Sequence, residues 1–415
     1  MGGGSAFRFS GTGVINAIYD STAEGDKKMR IAIYIGQLDV GGAEGQIIVL
    51  AEGLLARGHD VRLITDEGRT AAVPEKLKPY LVTVPARPRL ARLRALVRTL
   101  RSFDPAVLHC QLSSANLWGT IAGRRARVPV VVTSFLSTDL WKKRYHLLLD
   151  RLVTACSAGV FVNSAGVAER YRRVLGRSNR KVRIIYNGVD TARFDANAKT
   201  TEHGAARRRE LGIPADAPVI INVANLFAVK NQPMLLGAVA ACHRGVPENR
   251  RPYVLLAGEG PMRPTLEEEA GRLGITPFVR FLGQVRDVAS YLAAADIFVL
   301  SSHSEGFSNA LLEAMASSLA CVATDVGGNA EALTEETGII VPPGGEEALA
   351  AALAKLVVDG YRRREMGAAA RRRAVTTFGL DRMIDATACW YLGRLVYSRG
   401  AEGLRRWYGE IVPAQ

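Results

Sequence analysis

From Met29 the chain alternates short β-branched runs with longer amphipathic ones. Residues 30–37 read as a strand, followed by the glycine loop Asp39-Val40-Gly41-Gly42 and a helix from about Ala43 to Arg57. Gly58-His59-Asp60 ends that helix, and residues 61–65 form the next strand, so a βαβ unit with a parallel sheet is the simplest account. Further strands are predicted at residues 106–109, 128–133, 159–162 and 182–186. Asn187-Gly188-Val189-Asp190 is turn chemistry, and the polar, irregular stretch 195–206 reads as a linker. The pattern then restarts, with strands at 219–223, 253–257, 279–282, 297–300, 321–324 and 338–341. Two successive alternations predict an α/β protein of two Rossmann-like, doubly wound parallel-sheet domains facing across a cleft. The expected organisation is a flexible tail (1–28), a first domain (29–195), a linker (196–206), a second domain (207–375) and C-terminal helices crossing back (376–415).

The 415 residues suit two domains, and 48% apolar content supplies a core for each. A formal net charge of +14 favours anionic ligands or surfaces without choosing among phosphorylated molecules, lipid headgroups and nucleic acid. Cys110, Cys156, Cys242, Cys321 and Cys389 are scattered, odd in number and lack a CxxC pair, which argues against a disulfide framework or zinc site and fits a reducing compartment. Apolar stretches such as 128–132 are too short to span a bilayer. The first 28 residues lack the basic start and apolar core of a signal peptide.

The richest segment is SSHSEGFSNALLEAMA at 301–316, a polar turn between a strand and a helix that Ser308 or Asn309 is suited to cap. The first N–H groups of such a helix lack internal partners and suit a diphosphate, whereas Glu305 and Glu313 suit sugar hydroxyls as hydrogen-bond acceptors. An ordinary capped helix with surface acids is the alternative. Gly41-Gly42 similarly serves a close backbone approach or merely a tight turn. His109, ending a strand, is expected either to face the cleft or to be structural. Residues 87–101 hold six arginines and no acid, with Leu90, Leu93, Val97 and Leu100 at helical spacing. They form either a helix lying on anionic lipid or a core-packed helix with a solvated basic face, and Trp141-Lys142-Lys143-Arg144-Tyr145 points toward the lipid reading.

Glu305 and Glu313 form an E-x7-E pair within EGFSNALLEAMA that resembles the signature of retaining family-4 (group 1) glycosyltransferases, which have the GT-B fold. GGAE at 41–44, VNSAGVAERY at 162–171, IIYNGVDTARF at 184–194 and ATDVGGNAEALTEETGIIVPPG at 323–344 agree. The resemblance, running from about Met29 to Phe378, makes the first domain acceptor-side and the second nucleotide-sugar-binding. It implies that Glu313 binds the nucleotide ribose and Glu305 the transferred sugar, with Gly306, Phe307, Ser308 and Asn309 lining sugar and diphosphate. Gly42 would approach the distal phosphate or the acceptor, Gly258 the nucleotide and Val285 the base, and His109 would join Glu305 and Lys230 as a catalytic residue. Lys230 matches the family's lysine for the leaving diphosphate; the arginine usual five residues earlier is replaced by Asn225, a neutral donor. Gln111 and Phe135 stand where relatives often carry further histidines, leaving the acceptor side open.

The implied function is a retaining, hexosyltransferase-like, metal-independent glycosyltransferase without cofactor. It would carry sugar from a nucleotide-diphosphate donor to a saccharide or lipid-linked acceptor in cell-envelope or exopolysaccharide synthesis, in the cytoplasm or peripherally on the inner membrane face. Two alternatives stand beside it: a nucleotide-sugar epimerase or phosphorylase of the same fold, and a non-enzymatic nucleic-acid or membrane-surface binder. No recognised nucleic-acid module supports the last, and no nucleic-acid partner is expected.

Overall fold

The computed structural model describes residues 28–411 except Val40, Ala72, Leu140, Ala196 and Asn197, so the expected tail lies almost wholly outside the described residues. A seven-stranded sheet comprises β1 (Arg30–Ile35), β2 (Asp60–Asp66), β3 (Leu81–Val84), β4 (Val107–Gln111), β5 (Val130–Phe135), β6 (Gly159–Val162) and β7 (Val182–Ile184). Its spatial order is β3-β2-β1-β4-β5-β6-β7. The second sheet comprises β8 (Val219–Val223), β9 (Tyr253–Ala257), β10 (Val279–Gly283), β11 (Ile297–Leu300), β12 (Ala320–Thr324) and β13 (Gly338–Val341), in the order β10-β9-β8-β11-β12-β13. Every strand pair is parallel.

Helices cover both faces, which is why the strands read as nearly continuous apolar runs. Ile31, Ile33 and Ile35 of β1 enter one buried cluster, while Ala32 and Tyr34 enter another on the opposite face. Strand order reverses between β1 and β4 and again between β8 and β11. At such a reversal the connecting helices leave to opposite faces and open a crevice beyond the carboxyl ends of the strands. The loops 36–42 and 224–231 therefore mark the two binding edges.

The chain passes between the domains twice, and the two passages pair. Val189 N–H donates to Phe378 O at 2.9 Å, and Leu380 N–H donates to Val189 O at 3.1 Å. The Gly360–Phe378 helix packs on the second domain. The Leu380–Ile411 helix returns to the first, where Met383, Ile384, Ala388, Tyr391 and Leu395 join its core. Arg57 fastens this return by ion pairs to Asp385 at 2.6 Å and Asp381 at 3.0 Å.

One expectation is corrected and one pair of alternatives is decided, the latter for the core-packed reading of the arginine-rich stretch. The stretch read as an irregular linker is mostly the Ala198–Glu210 helix. Gly204 packs it against the Ala293 carbonyl, and Arg208 ties it to Asp296 at 2.8 Å. The arginine-rich stretch is the Arg89–Phe103 helix, whose Leu96 and Leu100 are buried with Leu93 and Val97 packed beside them. Its apolar stripe faces the core and its arginines face solvent, apart from Arg92, which pairs with Asp66 at 2.9 Å.

Candidate active site

Lys230 ends a short turn between β8 and the Gln232–Gly245 helix. Ser301 Oγ donates to Lys230 O at 3.0 Å and His303 N–H donates to Val229 O at 2.8 Å, so the lysine loop is pinned to the loop after β11. From there Lys230 Nζ reaches Glu305 Oε1 at 2.7 Å. Ser302 Oγ donates to the same carboxylate oxygen at 2.6 Å. The Glu305 side chain is only 9% exposed, and these two donors satisfy its Oε1.

The Asn309–Ala316 helix begins beside this pair. Ser308 Oγ accepts from Leu311 N–H at 3.3 Å, fixing the helix start as the sequence predicts. The N–H groups of Asn309 and Ala310 have no acceptor among the described residues, so the positive end of the helix is open. One turn on, Glu313 is half-buried between apolar neighbours, and its carboxylate accepts no hydrogen bond from a described residue. Desolvation pushes this carboxyl up to about 7, against a smaller opposing pull from Arg193.

Several contacts join the two domains here. Asn309 Nδ2 donates to Gly42 O at 2.9 Å, while its Oδ1 accepts from Asn187 at 2.7 Å and Gln46 at 3.2 Å. Asn187 also donates to Phe307 O at 2.9 Å. Thr138 and Ser304 hydroxyls meet at 2.7 Å. Glu331 accepts the N–H groups of Ala165 and Gly166 at 2.8 and 2.9 Å, capping a first-domain helix with a second-domain carboxylate. A Cβ on Gly306 would fall 1.8 Å from the Leu136 carbonyl oxygen, so only glycine fits. Gln46, Ser302 and Glu331 were not singled out by sequence. Asn187 lies in the YNGVD run that was read as a turn.

Gly258 packs on Ala224, where a Cβ would lie 2.0 Å from the carbonyl oxygen, and Asn225 beside it is exposed. Val285 is half-buried just beyond edge strand β10. A Cβ on Gly42 would stand 3.4 Å from Asn309 Nδ2, close to ordinary contact.

His109 does not face the cleft. It is fully buried, with Nδ1 bonded to the Tyr391 hydroxyl and Nε2 to the Ser134 hydroxyl. Burial lowers its pKa to about 3, holding the ring neutral as a core hydrogen-bond bridge. Tyr391→Phe is expected to leave His109 Nδ1 without a partner and to cost about 1–3 kcal/mol in a urea titration. Turnover per folded molecule should be unchanged; a selective loss of turnover would restore a catalytic role.

Glu313 makes a second prediction. Its folded-state pKa lies above its ordinary value of 4.5, so the native protein holds an extra proton between about pH 4.5 and 7. That contribution to stability is full below pH 4.5 and is lost as pH rises through 7. Glu313→Gln is expected to gain stability over wild type with rising pH, to a ceiling of about 3 kcal/mol. Parallel pH profiles in urea titrations would contradict it.

Comparison with known proteins agrees with this geometry. Residues 205–373 match the family Glycosyl transferases group 1, and residues 40–193 match Glycosyltransferase Family 4. The chain is 30% identical over 346 residues to D-inositol 3-phosphate glycosyltransferase of Saccharomonospora viridis, covering 74% of this chain and 79% of that protein. It is 34% identical over 214 residues to the putative glycosyltransferase EpsF of Bacillus subtilis, an alignment spanning 49% of this chain and 53% of EpsF. Anabaena HepE, solved in complex with UDP-glucose, superposes with a TM-score of 0.76 at 22% identity, covering 87% of this chain and 98% of HepE. These relationships set aside the epimerase, phosphorylase and non-enzymatic alternatives. The chain belongs to the group 1, or family 4, glycosyltransferases, retaining enzymes of the GT-B fold that draw their sugar from a nucleotide-sugar donor.

Proposed function

We propose that the chain transfers a hexosyl group from a nucleoside-diphosphate hexose to a hydroxyl of a saccharide or lipid-linked acceptor, at the cytoplasmic side of the membrane, in cell-envelope or exported polysaccharide synthesis. The observation that carries the reaction is the Lys230–Glu305 pair, 2.7 Å long, beside an open helix N-terminus at the strand-order reversal. When the bond from the anomeric carbon to the diphosphate breaks, negative charge gathers on the departing oxygen. Lys230 and the N–H groups of Asn309 and Ala310 stabilise that charge without moving far. Glu305, released from Lys230 by the competing phosphate, accepts hydroxyls of the sugar. The acceptor hydroxyl attacks the same sugar face and passes its proton to the departing phosphate oxygen, which preserves the anomeric configuration. Glu313 accepts the ribose hydroxyls, best when ionised. The acceptor panel includes D-inositol 3-phosphate, the substrate named in the related enzymes.

Calorimetric titration with free nucleoside diphosphates and intact donors, including the uridine forms, tests the donor side. Glu313→Ala is expected to weaken both ligands by roughly ten- to a hundredfold, since each lost charge-assisted bond is worth about 1.5–3 kcal/mol. Glu305→Ala should spare the free diphosphate and impair transfer. Wild-type affinity should rise with pH through 7 and flatten in Glu313→Gln. Wild-type binding and turnover in both alanine variants would sink these assignments. Lys230→Met is expected to lower turnover about a hundredfold while remaining folded. Turnover should also persist in chelator, because Lys230 and the helix end supply the positive charge. Complete loss, restored by magnesium or manganese, would count against that assignment.

A further inference from the structure

The Arg144–Cys156 helix of the first domain buries one mixed face, of Asp150, Val153 and Thr154, and leaves an apolar stripe on the other. Val153 and Thr154 turn inward, where Asp150 pairs with buried Lys142 at 2.9 Å. On the outer side Tyr145, Leu148, Leu149 and Leu152 are 42–58% exposed, at the i, i+3, i+4, i+7 spacing of a single stripe. Trp141, 62% exposed, stands just before the helix. Five large apolar side chains on one short surface exceed the scattered exposure of an ordinary soluble face. Lys143, Arg144 and Arg151 are exposed on the same segment, and its sole acid, Asp150, is buried and neutralised.

We propose that this helix, with Trp141, is a docking surface for an anionic lipid bilayer. An apolar stripe with aromatic members and a cationic rim is the arrangement that lies at a headgroup boundary. A second copy of the chain fits less well, because a two-fold contact would set the same three cations against their own counterparts. The Arg89–Phe103 helix fits less well too. Its arginines are solvated, but its apolar stripe is spent on the core, leaving Leu90 exposed alone.

The position gives the surface its use. Thr138, which meets Ser304 across the cleft, is three residues from Trp141, at most roughly 11 Å of chain. Docking here brings the cleft mouth to the membrane, where a lipid-linked acceptor presents its head. The proposal thereby deepens the acceptor reading above, on which its functional use rests, while the docking itself is tested without turnover.

The full-length protein would be sedimented with vesicles of phosphatidylglycerol and phosphatidylcholine in equal parts and with phosphatidylcholine alone, at low and high salt. Wild type is expected to sediment with the mixed vesicles, less at high salt, and to remain in solution with phosphatidylcholine. Leu148→Glu with Leu152→Glu should lower the bound fraction by roughly tenfold. Arg94→Ala with Arg98→Ala, on the other helix, should stay within about twofold of wild type. Brominated lipid should quench tryptophan fluorescence in wild type and much less in Trp141→Phe. An unchanged far-UV circular dichroism spectrum and melting temperature confirm that each variant is folded. The proposal is overturned if wild type ignores anionic vesicles at low salt, if the leucine variant sediments like wild type, or if the arginine variant alone loses binding. It is equally overturned if light scattering finds a dimer that the leucine substitutions dissolve. No donor or acceptor is present, so a negative result here leaves the transfer reading standing.

Discussion

One amide, that of Asn309, ties the site helix of the second domain to three residues of the first. Its nitrogen donates to the Gly42 carbonyl of the first domain, and its oxygen accepts from Gln46 and Asn187. Because Asn309 is also the first residue of the helix beyond β11, the orientation of that helix end is set by the opposite domain. The open N–H groups, the Glu305 carboxylate and the first glycine loop thus share one frame. A rotation that broke this junction would disperse a site whose parts are individually intact.

The electrostatics follow from a sparse inventory. Family relatives commonly pair a lysine with an arginine at the leaving group, but Asn225 here brings no charge and is exposed. In the proposed reaction Lys230 would meet the diphosphate with the helix end as its partner. Without ligand it is balanced by Glu305, so the nearly buried carboxylate has a counterion. Glu313 feels only a weaker pull from Arg193, and desolvation pushes its carboxyl up to about 7. Two glutamates seven intervening residues apart thus sit in different surroundings: Glu305 is paired with Lys230 and Ser302, while Glu313 has no hydrogen-bond donor among the described residues.

Much of the fold was legible because parallel strands buried on both faces leave dense apolar runs. β3 was missed: it is four residues long, lies at the sheet edge between Pro79 and Pro85, and buries only Val84. The Ala198–Glu210 helix was misread because its polar surface positions outnumber the few that touch the domain. The local part of the site was readable in the same way. A strand, a polar turn and a capped helix are adjacent in sequence, so Glu305, Ser308 and Glu313 declare themselves together. Gln46 and Glu331 act only across the interface, 263 and about 166 positions from their partners, and no local pattern marks them. His109 was misplaced for a related reason: its face of β4 is covered by Tyr391, which arrives from 282 residues away.

Gly306 gives the cleft a mechanical limit. With the Leu136 carbonyl already where a methyl group would sit, the two domains meet backbone to backbone at this point. An outward swing of one domain from the other would uncouple the Thr138–Ser304 contact and strip the Glu331 cap from a helix end. A side chain at position 306 would act as a wedge, holding the cleft ajar against those contacts.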